Sequence, residues 1–264
     1  MFKRIWAMGD IHGSYYPIEN FWRRNKDSIN FSAETDCLIL LGDVGANYFF
    51  DHRDKNFKKK LNKFPFTYFC IRGNHEERIT NVVSKNLSEW HQIDFFNNTA
   101  WVEQKYPNII YAMDCPTVYN INNYNTLIIP GAYSVDKFYR IQHQWNWFKD
   151  EQLTQDEMEQ GRILLKKYNY NFDLVFSHTC PISYEPTDLF LSVINQATVD
   201  KSMERYLGEI EYNITYKLWL WGHYHSYRIY PHFQNSQCIM LSDGKEAINI
   251  LEWLNDTNTI HKKY

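Results

Sequence analysis

Nothing in this 264-residue chain is apolar for long enough to span a bilayer. The Lys3-Arg4 pair is followed by only four apolar residues before Gly9-Asp10, which is too short for a secretory leader. Charge of one sign is also missing. A net charge of −3 gives no general attraction to nucleic acid or to anionic lipid. Paired cysteines are absent too. Cys37, Cys70, Cys115, Cys180 and Cys238 are odd in number, scattered and without CxxC spacing, so they read as reduced packed thiols and point to the cytoplasm. No internal repeat, low-complexity tract or composition break divides the chain, so residues 1–264 are read as a single domain. The remaining composition, 44% hydrophobic and 22% charged, is that of a globular protein with a substantial core. Its many Tyr, Phe and Trp residues are read as core filling.

Short apolar runs are present, and each ends in polar residues. Ile5 to Met8 leads into Gly9-Asp10-Ile11-His12-Gly13, and Cys37 to Leu41 leads into Gly42-Asp43-Val44-Gly45. Phe66 to Ile71 leads into Arg72-Gly73-Asn74-His75-Glu76. Continuous apolar runs of this length fit strands buried on both faces. Between them, Tyr15 to Ile29 and Arg53 to Lys63 carry apolar residues at helical spacing. Alternating strands and helices predict a parallel α/β sheet, whose carboxyl edge is where sites are built. Three consecutive strand ends then bring Asp10, His12, Asp43, Asn74 and His75 together. Asp10 and His12, two apart in an extended segment, point the same way. A carboxylate beside an imidazole suits a borderline divalent metal such as zinc, manganese or iron.

Farther along, strands are expected at Ile109–Tyr111, Thr117–Ile121 and Thr126–Pro130, before an aromatic loop that carries Lys137, Arg140, His143, Trp145 and Trp147. Thr154 with Glu157 offers a capping box for a helix to about Tyr168. Leu174 to Phe176 ends in Ser177-His178. After a helix expected at Asp200–Ile210, Leu218 to Trp221 ends in Gly222-His223-Tyr224-His225. Cys238–Leu241 and Ala247–Trp253 read as a closing hairpin with Gly244 in its turn. His52, His91, His143, His232 and His261 read as ordinary surface histidines, and Cys180 as a packed thiol without an activating partner.

The clusters Asp10/His12, Asp43, Asn74/His75, His178 and His223/His225 resemble, in order, the five signature motifs of the calcineurin-like metallophosphoesterases. The resemblance spans residues 9 to 225. It implies a four-layer α/β/β/α sandwich of two mixed β-sheets flanked by helices, with a dinuclear metal site at the sheet edge. Carried over by position, Asp10, His12 and His225 hold one divalent ion, while Asn74, His178 and His223 hold the other. Asp43 bridges them, and His75 faces the leaving group as general acid. The implied reaction is hydrolysis of a phosphate mono- or diester by hydroxide held between two metal ions roughly 3.5–4 Å apart. The metals, Mn, Fe or Zn, are not distinguished.

Gly9-Asp10-Ile11-His12-Gly13 and Arg72-Gly73-Asn74-His75-Glu76 resemble the serine/threonine protein phosphatase branch in particular. That branch has an Asp and an Arg after the second motif, where this chain has Ala46 and Asn47. Neither replaces the lost acceptor or the lost phosphate-gripping cation. Asp51 could orient His75 instead, and Lys137 or Arg140 could hold phosphate. A protein phosphatase and a non-catalytic metal-binding module therefore stay open beside a small-ester hydrolase. A nucleotide or nucleic acid is conceivable through Tyr15, Tyr16, Tyr48, Phe49 and Phe50, which could stack a base but gain no support from net charge. The oligomeric state is not set by the sequence.

Overall fold

The computed structural model describes residues 1–231 and 236–260. The chain runs β1 (Arg4–Met8), α1 (Tyr16–Asn25), β2 (Asp36–Leu41), α2 (His52–Leu61), β3 (Thr67–Ile71) and α3 (Ile79–Lys85). A second stretch is almost all strand: β4 (Trp90–Phe95), β5 (Asn98–Glu103), β6 (Ile109–Tyr111), β7 (Thr117–Ile121) and β8 (Tyr124–Ile129). Then follow α4 (Lys137–Gln142), α5 (Gln155–Lys167), β9 (Leu174–Ser177), α6 (Ser202–Asn213) and β10 (Leu218–Trp221). The chain closes with β11 (Arg228–Pro231), β12 (Gln237–Met240), β13 (Ala247–Asn249) and α7 (Ile250–Ile260).

These strands form two mixed sheets. One has the order β13-β1-β2-β3-β6-β5-β4 and the other β11-β12-β10-β9-β8-β7. The first sheet is parallel through β1, β2, β3 and β6, and the second through β8, β9, β10 and β12. Period-two alternation sorts each strand between two cores. Ile5, Ala7, Ile39 and Phe69 of one sheet meet Ile128, Phe176, Leu218 and Leu220 of the other in the central layer. Trp6, Leu38, Leu40 and Tyr68 face outward onto Ile18, Phe57 and Ile79 of α1, α2 and α3. Val175, Trp219 and Trp221 face outward onto Met158, Met203 and Leu207 of α5 and α6. Burial on both faces is why these strands read as unbroken apolar runs, each large side chain contributing about 1.5–3 kcal/mol. The four-layer sandwich implied by the motifs is what the chain builds. Among the described residues, no helix is long and apolar enough to cross a membrane.

Three segments differ from the sequence-based expectation. The closing hairpin is not formed: β12 lies parallel to β10 in one sheet, and β13 lies antiparallel to β1 in the other. From Ile250 the chain is helical, because Ile250 and Leu254 sit four apart and bury together against the central core. The aromatic loop contains α4. The β4–β5 hairpin, turned by Phe96 and Asn97 at positive φ, is an addition to the expected strands. The capping box at Thr154 and Glu157 is present, with both reciprocal hydrogen bonds.

Lys58 of α2 ties the loop after β2 to the sheet. Its Nζ lies 2.7 Å from Glu103 Oε2 and donates to Asn47 Oδ1 at 2.8 Å, with the ion pair almost fully buried. Removing one partner strands the other charge in a dry setting. Lys58→Met is expected to lower unfolding free energy by about 3–5 kcal/mol in urea titration, with Lys58→Met/Glu103→Leu recovering most of it.

Candidate metal centre

All the motif residues leave their strands at the same edge. β1, β2 and β3 deliver Asp10/His12, Asp43 and Asn74/His75 from one sheet, and β9 and β10 deliver His178 and His223/His225 from the other. Backbone hydrogen bonds lock these loops together: His12 N donates to Asp43 O at 2.7 Å, Gly13 N to Val44 O at 2.8 Å, and Gly222 N to His178 O at 3.0 Å. Gly42, at φ +99°, is required by space as well as by conformation, since a Cβ there would lie 2.1 Å from His178 Nδ1. His12, Asp43, His223 and His225 themselves hold φ between 44° and 70°, a left-handed conformation uncommon outside glycine, though Asp and His adopt it more readily than most residues.

Three groups of donors converge. Asp10, His12 and His225 form one, Asp10, Asp43 and His178 a second, and His12, Asp43 and His75 a third, with ligand atoms in each group within 4.8 Å of one another. His12 Nε2 and His225 Nε2 approach to 3.0 Å, and His225 Nε2 lies 3.3 Å from Asp10 Oδ2. His178 Nδ1 donates to Leu41 O at 2.8 Å, which turns Nε2 into the cluster, 2.9 Å from Asn74 Oδ1 and 3.3 Å from Asp43 Oδ1. His223 packs its ring 5.0 Å from that of His178 and donates its backbone N–H to Asp10, but it joins none of the three groups. His75 stands as close to Asp43 as His12 does, with Nε2 at 3.9 Å from Asp43 Oδ2.

Asp10, Asp43, Asn74 and His178 are essentially inaccessible to solvent. Burial opposes ionisation of Asp43, yet His75, His178 and His12 hold its carboxyl well below the usual carboxylate range. Burial also disfavours a charged His178, but Asp43 and Asp10 raise it to about 9. For His223, burial with His178 beside it pushes the imidazole down to about 3. Two dry carboxylates that draw a proton onto the imidazole between them are a site organised around positive charge. Carboxylate, carboxamide and imidazole donors without a thiolate fit a borderline or hard divalent metal.

The orientation of Asn74 has its own support. Its Nδ2 donates to Ser134 Oγ at 2.9 Å, and Ser134 donates Oγ–H to Glu151 Oε2 at 2.6 Å and its backbone N–H to Glu151 Oε1 at 2.9 Å. The amide nitrogen is thus turned away and the oxygen faces the donors. Ser134 and Glu151 lie outside the motif clusters, Ser134 shortly after β8 and Glu151 between α4 and α5, so no local pattern marks them.

Of the two cations expected to reach phosphate, only Arg140 is in the site. Its Nη2 lies 2.7 Å from His75 Nδ1, and its Nε donates to Asp136 Oδ2 at 2.8 Å. Lys137 turns the other way, over the ring of Trp147 at 4.3 Å. Asp51 does not approach His75; it caps α2 and pairs with Arg53. Asn47 is held by Lys58, and Glu76 accepts from the backbone N–H of Val44 and Gly45. Cys180 is buried, and burial pushes its thiol well up. His52, His91 and His143 are exposed, while His232 and His261 lie outside the described residues.

Two facing mixed sheets with a buried aspartate–histidine cluster where parallel strands end define a four-layer α/β sandwich with a metal-type donor set. The chain belongs to the calcineurin-like phosphoesterase family, whose model matches residues 3–227. Among solved structures it is similar to TT1561 of Thermus thermophilus, with 13% identity, 96% of each chain covered and a TM-score of 0.53. It is also similar to a dimetal phosphatase from Danio rerio, with 12% identity, 92% of this chain and 88% of that one covered and a TM-score of 0.49. At such identities the likeness concerns the fold alone. No curated protein matches in sequence.

Ser134→Ala is expected to leave the fold intact but weaken divalent-metal affinity by about 10- to 100-fold, because the Asn74 amide is then free to flip. Competition against a fluorescent chelator measures it.

Proposed function

We propose that the protein hydrolyses phosphate esters at this cluster, with one divalent ion held by Asp10, His12 and His225, another by Asn74, His178 and His223, and Asp43 shared between them. When bound, such ions polarise a phosphoryl oxygen and bring the pKa of water down toward neutrality. The observation that carries this reading is the convergence of the buried Asp10, Asp43 and His178, with His75 and the buried Arg140 side by side next to them.

The chain's own residues divide the remaining work. Arg140 presents a guanidinium suited to gripping phosphate, and Asp136 holds it in place. Arg140 takes the role of the cation missing at position 47, whereas Asp136 binds Arg140 rather than His75. Burial pushes the His75 imidazole down to about 4, with Arg140 adding to that and Asp43 opposing it. A phosphate anion drawn in beside Arg140 reverses this balance by favouring the charged imidazole. His75 can then deliver a proton to the departing alcohol, a contribution on the order of 10²–10⁴-fold. A small ester is the favoured substrate. A protein phosphatase remains the second reading, because two motifs are spelled as in that branch and Arg140 supplies a phosphate-binding cation. A binding module without catalysis has less support, since every donor the motifs require is present.

Metal-loaded protein is expected to release p-nitrophenol from phosphate mono- or diesters. His75→Ala should keep its metal, by elemental analysis, while kcat falls by about 10²–10⁴-fold. Arg140→Glu should raise KM on the order of tenfold, because a charge-assisted phosphate contact becomes repulsive; steady-state kinetics on the same ester reads both changes.

A further inference from the structure

Two chambers open from the donor cluster, and His75 and Asp136 line both. The first, about 370 Å³, is floored by Asp43, Asn74, His223 and His225. Its far wall is the segment between β9 and α6, where Leu189, Phe190, Leu191, Ile194 and Val199 face the cavity. Glu204 of α6 also lines this chamber: it is buried, accepts from Thr179 through Oε1 at 2.7 Å, and leaves Oε2 without a partner among the described residues. A buried unpaired carboxyl oxygen calls for a hydrogen-bond donor.

The second chamber, about 560 Å³, has a different chemistry. Tyr48 and Phe49 form one side, with Tyr48 stacked near-parallel to His75 and the Arg53 guanidinium 3.5 Å over the Phe49 ring. Trp145 and Asn146 form the other side, held opposite by the Tyr48 hydroxyl donating to Asn146 O at 3.1 Å. The charges here are already balanced, Arg53 by Asp51 and Arg140 by Asp136. The chamber therefore offers π-faces and amide edges rather than a net field. Such surfaces take a flat aromatic ring, and base–aromatic stacking contributes about 1–3 kcal/mol.

Resting on the phosphoesterase reading above, we infer that the substrate is a phosphodiester with a nucleoside-like arm in the Tyr48/Phe49/Trp145 chamber and an apolar, donor-bearing arm in the Leu189–Val199 chamber. A monoester has one arm and would leave one chamber to solvent. A diester places its phosphorus at the junction, beside His75 and Arg140, with an arm on each side. Of the carboxyls lining the first chamber, Glu185 is paired with Lys201, while Asp200 and the buried Glu204 disfavour a second anionic group there. The reaction adds water to phosphorus and breaks one P–O bond. The departing oxygen takes a proton, giving an alcohol and a phosphate monoester.

The test compares p-nitrophenyl phosphate, methyl p-nitrophenyl phosphate and the p-nitrophenyl diester of thymidine monophosphate on the metal-loaded protein. The expected order of kcat/KM is thymidine diester above methyl diester above monoester. Trp145 and Leu191 are both more than half exposed, so their variants should fold. Trp145→Ala should raise KM for the thymidine diester about tenfold and leave the methyl diester within twofold. Leu191→Asp should instead raise KM for all three esters alike. A monoester turned over as well as the diesters, or two variants with the same substrate profile, overturns the inference and leaves the phosphoesterase reading standing. Hydrolysis of none of the esters overturns that reading. Calorimetry then still decides the chamber: thymidine monophosphate should bind about tenfold tighter than inorganic phosphate, an advantage lost in Trp145→Ala, and equal affinities sink the assignment.

Discussion

Asp10 and Asp43 are carboxylates buried from bulk solvent, set just past the ends of neighbouring strands with the His178 imidazole between them. Burying one ionised carboxylate without compensation costs several kcal/mol, and burying two side by side costs more. The surrounding structure offsets this cost. Backbone N–H groups of His75 and His223 donate to the two carboxyls, and imidazoles crowd the remaining lone pairs. A protonated His178 offsets part of the remaining charge, and a divalent cation at the cluster would offset the rest. No single loop carries enough donors to do this, and the five loops meet at one sheet edge.

The backbone records the same constraint. Four donor residues sit in left-handed conformations that cost on the order of 1–3 kcal/mol each when a non-glycine residue adopts them. Cross-loop hydrogen bonds such as His12 N to Asp43 O hold these conformations in place. Strain of this kind persists only where the neighbours over-determine it. Here each loop is pinned both by the strand it leaves and by the loop beside it.

The buried core of this arrangement was legible in the sequence because burial on both faces leaves unbroken apolar runs, and each run stops where its donor begins. Ala247 to Trp253 shows the limit of that signal. A short apolar run fits a strand or a buried helix equally well, and this one is three residues of strand followed by a helix that packs Ile250 and Leu254. Lys137 and Arg140 could not be separated for a related reason. As loop residues they are equivalent cations. Once the segment is helical, Asp136 falls one turn from Arg140 and holds it toward His75, while Lys137 is carried around to Trp147. Ser134 and Glu151 were invisible because they act on Asn74 only through a fold that brings residues 17 and 60 apart in sequence into one hydrogen-bonded line.

The division between donors and walls has a physical basis. Every donor is within a few residues of a strand in the parallel core of its sheet, so its position is tied to the most buried part of the molecule. The chamber walls come instead from residues 48–53, 133–148 and 185–200, which add no strand to either sheet and leave Phe49, Leu191 and Trp145 exposed. Changes in those walls would leave the cores unaltered, whereas a single methyl group at Gly42 collides with His178. Chemistry and selectivity are therefore carried by parts of the chain with different tolerances. That separation lets Arg140, held by Asp136 on a segment outside both sheets, stand beside His75 without disturbing the donors beneath.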